Sequence, residues 1–124
     1  MENYKKHLKL SNKTFFKIHV EMLNVLLPSS MKLSKPELDI ISTFLSLDEA
    51  IIKDDMFNTL ARKQVKEELN MSSAALSNHL RTLIEDKKIL NKHEITGRIT
   101  LADFMKPTGN KLEYQFVIEN EDRK

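Results

Sequence analysis

ARKQVKEELNMSSAALSNHLRTLIEDKKIL, residues 61–90, reads as two short helices joined by a tight turn. Val65 and Leu69 repeat at helical spacing on the first, and Asn70-Met71-Ser72 forms the turn, with the methionine placed to fill the corner between the helices. Ser72 supplies an N-cap hydroxyl for the second helix, which the spacing predicts over 72–85. On that helix Leu76, Leu80 and Leu83, with Ile84 beside them, fall on one side. Ser73, Ala74, Ser77, Asn78 and Arg81 fall on the other. A face that is small and polar, ending in a cation, has the shape to enter a duplex major groove and bring donors and acceptors to base edges.

The stretch MSSAALSNHLRTLIEDKKIL resembles the recognition-helix segment of winged helix-turn-helix proteins. The matching elements are Ser72 as cap, Leu76, Ser77, His79, Leu80 and Leu83 in the helix, Asp86-Lys87-Lys88 as the charged turn, and Ile89-Leu90 as the start of a strand. The resemblance covers roughly residues 36–119 and implies a mainly α fold with a small antiparallel β wing, here preceded by an extra N-terminal helix. Two positions depart from the family pattern. Asn70 stands where glycine is frequent, and asparagine tolerates the left-handed conformation. Asn78 stands where many DNA-binding members carry Arg or Lys, which lowers the capacity to grip phosphate or read guanine.

At 124 residues the chain has the length of one domain with a real hydrophobic core. Its formal charge is only +2, from 20 basic and 18 acidic residues, so binding to a polyanion has to come from local segregation of charge. Between Ala61 and Thr100 eight basic residues face five acids, whereas the end of the chain from Glu113 onward is acidic. There is no cysteine, which excludes disulfides and thiolate metal sites. No apolar run approaches a membrane span, and MENYKKHLKL lacks the apolar stretch of a signal peptide, so the expected location is the cytoplasm, or a virion if the protein is of phage origin.

Residues 1–12 are expected to be a flexible basic arm, 13–32 an N-terminal helix and linker, 33–119 the winged helix-turn-helix domain and 120–124 a charged tail. Over Lys13–Leu27 strand and helix periodicities compete. Helix is favoured because Ser11 or Asn12 can cap it and Pro28 ends it. Phe15, Ile18, Met22 and Leu26 line one face, with Phe16, Val20, Leu23 and Leu27 adjacent; an arc this wide suits either a central helix or a homodimer seam through Phe15–Leu27. Ser34, Pro36 and Glu37 form a near-complete helix start for Leu33–Leu47, with Leu38, Ile41, Phe44 and Leu45 inward. Asp48–Leu60 reads as a connection anchored by Phe57 and Leu60. Residues 90–101 and 111–119 read as an antiparallel strand pair, joined through a short helical turn at Ala102–Lys106 with Phe104 and Met105 packed down.

No catalytic constellation is present in the sequence. His7, His19, His79 and His93 lack metal-ligand spacing, and neither a phosphate-binding glycine loop nor a nucleophile elbow occurs, so no enzyme activity, metal or cofactor is expected. His93 reads as a solvated strand residue and Asp54-Asp55 as loop solvation or a helix cap. The expected function is DNA binding by a transcription regulator or replication-initiation protein, with double-stranded DNA held by the 72–85 helix and the 90–119 wing. The candidate contacts are Arg62, Lys63, Lys66, Ser72, Ser73, Ser77, Asn78, Arg81, Lys92 and Arg98. The alternative is a phage-type structural, assembly or DNA-packaging component that uses the same plan as a protein-interaction module.

Overall fold

Ser34 starts the helix around which the molecule is built. Its hydroxyl accepts the Glu37 backbone N–H, and the Glu37 side chain reaches back to the Ser34 N–H at 2.7 Å, a complete capping box with Pro36 in the first turn. The computed structural model describes residues 11–107. They form five helices and one two-stranded antiparallel sheet: α1 (Asn12–Leu26), α2 (Lys35–Ser46), α3 (Glu49–Ile52), α4 (Thr59–Leu69), α5 (Ser73–Glu85), β1 (Leu90–Lys92) and β2 (Ile99–Leu101). Single 3-10 turns lie at Ser29–Met31 and Asp103–Met105.

The central helix is α2. Ile40, Ile41, Phe44 and Leu45 are buried, and so are Ser42 and Thr43 on what a one-sided helix would leave wet. It packs against α1 on one flank and α4 on the other. Phe57 closes the loop before α4 by stacking on Phe44, ring centroids 4.5 Å apart. Asn58 holds that loop: it caps α4 through Ala61 N–H and donates its amide to the carbonyls of Ile51 and Asp55, each at 2.7 Å. Asp55 accepts the Phe57 N–H, a turn role consistent with its sequence reading. Leu60, expected as a second anchor, is instead about half exposed, because it enters on the outer side of the first turn of α4.

Helix α1 resolves the competing periodicities in favour of helix. Ser11 caps it, and the Lys32 ammonium donates to the carbonyls of Asn24 and Val25 at its end. The face turned to the core differs from the expected one. Phe16, His19, Val20 and Leu23 pack inward, whereas Phe15, Ile18 and Met22 are half-buried and Val25 and Leu26 exposed. His19 decides this orientation, since its Nε2 bonds the Met105 carbonyl at 2.8 Å within the core.

The stretch 90–101, expected as one strand, is itself a hairpin. Leu90 pairs with Leu101, Asn91 with Thr100 and Lys92 with Ile99. The chain reverses at Gly97, whose φ of +71° suits a residue without Cβ. After β2 the expected short helical turn is present with Met105 buried, but Phe104 points out and is half exposed. The strand expected over 111–119, the tail 120–124 and most of the N-terminal arm lie outside the described residues. No helix among the described residues is long and apolar enough to cross a membrane.

One charged contact joins the two ends of this core. Glu37, only 2% exposed, accepts a hydrogen bond from the Lys87 ammonium as well as from Ser34. Burial pushes the Glu37 carboxyl upward, but the Lys87 bond and the backbone and hydroxyl contacts from Ser34 outweigh it and hold the group below its usual value of 4.5. A carboxyl with a depressed folded-state pKa stabilises the fold above its unfolded pKa, and that contribution disappears as pH falls through the folded value. Glu37→Gln is therefore expected to lower stability by about 1–3 kcal/mol at neutral pH, the scale of a buried charged partner left without its bond. In urea melts the deficit relative to the parent should shrink as the solution is acidified below the carboxylate range. A deficit that is independent of pH would show that the charge of Glu37 is not what stabilises.

Candidate nucleic-acid interface

Two caps set the angle between α4 and α5. Asn70 ends α4 in the left-handed conformation, φ 51° and ψ 52°, with its N–H returned to the carbonyls of Glu67 and Lys66. Met71 follows half-buried against the core, and Ser72 starts α5 by accepting the Ala75 N–H. Leu76, Leu80 and Leu83 are then buried, Leu83 completely. This burial fixes the rotation of α5, so Ser73, Ala74, Ser77, Asn78 and Arg81 are all exposed along the opposite side. The turn and both faces agree with the sequence reading.

Basic residues border this face unevenly. Lys63 and Lys66 stand beside the N-terminus of α5, and the Lys66 ammonium donates to the Ser73 hydroxyl at 2.8 Å. With Glu67, Asn70, Met71 and Ser72 they line an open hollow of about 480 Å³. The unpaired N–H groups at the start of α5 add positive potential to the two ammonium groups there, and the Glu67 carboxylate lessens it. Arg81 is exposed farther along α5, with Glu85 and Asp86 exposed beyond it. Arg62 is half-buried, and its Nε donates to the Phe57 carbonyl at 2.8 Å, so part of its guanidinium is engaged in the fold. Lys87 is withdrawn altogether by Glu37.

Lys92 and Arg98 sit on the hairpin, both exposed, and with Asn91, His93, Glu94, Ile95, Thr96 and Thr100 they line its open concavity. The tip is more ordered than its sequence suggests. His93 Nδ1 accepts the N–H groups of both Ile95 and Thr96, at 3.2 and 3.1 Å, which places the ring proton on Nε2. The Gly97 N–H returns to the His93 carbonyl, the His93 N–H to the Arg98 carbonyl, and the Arg98 N–H to the Thr96 hydroxyl. His93 is thus solvated, as expected, but its ring caps the turn. Histidine four residues ahead of a glycine is the signal that a two-residue alternation obscures.

Three groups of candidate residues therefore stand on separate elements: Lys63 and Lys66 on α4, Ser72, Ser73, Ser77, Asn78 and Arg81 at the start and outer face of α5, and Lys92 and Arg98 on the hairpin. Chemically the set offers hydroxyl and amide groups at its centre and cations around it, which suits a polyanion that carries polar edges between its charges. In comparisons with known proteins, no family model, curated protein or solved structure matches the chain.

Proposed function

We propose that the protein is a winged helix-turn-helix DNA-binding protein, of the transcription-regulator or replication-initiation type, that places α5 in the major groove and uses its β1–β2 hairpin as the wing. The observation that carries this reading is the outer face of α5, where Ser73, Ala74, Ser77 and Asn78 form a slim polar surface held rigidly by the buried leucines behind it. A helix that docks by its edge against another protein would favour aromatic or aliphatic anchors there. This face has none. Lys63, Lys66 and Arg81 supply phosphate contacts at its margin, and Asn78 supplies the amide suited to an adenine edge.

With a net charge near zero, affinity depends on these few cations and is modest and salt-sensitive. Replacing Lys63 and Arg81 by glutamine is expected to reduce the slope of log affinity against log salt by roughly one unit for each phosphate that is no longer neutralised. Asn78→Ala is expected to cost about 1–3 kcal/mol on a preferred site and nothing on unrelated duplex. Mobility-shift titrations at two salt concentrations measure both. An unchanged slope in the charge variants, or no binding by the parent at low salt, would remove the DNA-binding reading.

A homodimer through α1 forms part of the proposal, supported by the stripe of Phe15, Ile18, Met22, Val25 and Leu26 that the core leaves half-covered or exposed. Two-fold pairing would bury this stripe and set two α5 helices against successive half-sites. Sedimentation equilibrium is expected to give a dimer that Met22→Glu converts to a folded monomer. A parent chain that is already monomeric at tens of micromolar, about where weak dimers form, would reduce the stripe to ordinary surface.

A further inference from the structure

Ile95 is 91% exposed, more than any other large apolar side chain among the described residues, and it occupies the apex of the β1–β2 hairpin. Single exposed aliphatic residues are common and by themselves mean nothing. Ile95 differs in how it is held. Its own N–H and that of Thr96 are bound to His93 Nδ1, and Thr96, Gly97 and Arg98 are each bonded across the turn. The apex is therefore a rigid mount, with a glycine in the left-handed region, that presents one branched aliphatic group to solvent. Lys92 and Arg98 flank it on the two strands, with Glu94 the one acid in the concavity.

We infer that this hairpin tip is a minor-groove prong: Ile95 enters between base steps of duplex DNA while Lys92 and Arg98 hold the phosphates on either side. The inference rests on the DNA-binding reading above and adds to it a second contact of a different kind. An apolar wedge between base pairs unstacks them and kinks the duplex, and the cost of unstacking is lowest at flexible pyrimidine–purine steps. The cations on both sides give the prong its charge complementarity, because the phosphates that border a narrow groove lie on both of its edges. Sequence preference then arises at bases that α5 never touches. The wedge makes no packing contribution to the free protein, so its removal leaves the fold intact.

The test uses the full chain and two short duplexes, one with a central TA step and one with a central A-tract, fluorescently labelled at both ends to report bending. The parent is expected to bend the TA duplex and to bind it more tightly than the A-tract duplex. Ile95→Ala should lose about tenfold in affinity for the TA duplex, the loss that corresponds to one aliphatic side chain no longer buried, together with most of the bend. Its affinity for the A-tract duplex and its melting temperature should match the parent, and Ile95→Leu should retain both bend and preference. Ile95→Ala with undiminished bend and affinity, or with an equal loss on both duplexes, would overturn the prong and leave DNA binding standing. A parent that binds neither duplex at low salt would overturn the DNA-binding reading and the prong with it.

Discussion

The rest of the fold depends on one carboxylate oxygen. Glu37 Oε1 accepts from the backbone N–H of Ser34 and from the ammonium of Lys87, fifty residues later in the chain. The first bond starts the central helix, and the second pins the turn after α5 to that start. A carboxylate 2% exposed is costly to bury alone, and so is the ammonium, so neither group accepts a packing of α5 that separates them. The pair therefore selects one register: Leu83 drops into the core, Lys87 follows onto Glu37, and Ile89 and Leu90 enter the hairpin already buried. Lys88 takes the left-handed conformation, φ 59°, to make that change of direction.

From this register the outer surface of α5 follows without further choice. Its rotation is set by Leu76, Leu80 and Leu83 behind it, its starting point by Ser72, and its angle to α4 by Asn70. A rigid helix of this kind holds its exposed side chains in place while their own chemistry stays free for a partner. That division between a buried face that positions and an exposed face that contacts is what a groove-reading helix requires. The hairpin extends the same plan. Its strands are anchored through Leu90, Ile99 and Leu101, while every residue from Asn91 to Arg98 remains exposed.

Much of this is legible in the sequence where a local rule acts alone. Ser34, Pro36 and Glu37 announce a helix start by chemistry that needs no tertiary partner, and the leucines of α5 repeat on one face with nothing polar to dispute it. Asn70 is readable for the same reason: few residues accept its backbone angles. The inward face of α1 is not readable. Phe15, Phe16, Ile18, Val20, Met22, Leu23, Leu26 and Leu27 cover more than half its circumference, and the choice is made by His19 bonding a carbonyl 86 residues away. Asn58 and Asp55, which build the start of α4, look like loop residues in the sequence because their partners are backbone groups on both sides of the turn. The reversal at Gly97 is hidden by the alternation of Ile95, Ile99 and Leu101. Lys87 reads as one surface cation among several, although Glu37 removes it from the surface. The candidate residues on α5 are legible as a face, but the face itself carries no signature of what it touches.

If α5 and the hairpin tip form one DNA-contacting surface, a short duplex should perturb both together. The most direct measurement is a titration of isotope-labelled protein with such a duplex at low salt, followed by backbone amide shifts in two-dimensional NMR spectra. The largest shifts are expected at Ser73, Ser77, Asn78 and Arg81 and again at Lys92 to Arg98, with the exposed side of α1 unmoved. Shifts confined to α1, or none at any residue, would contradict a shared DNA-contacting surface.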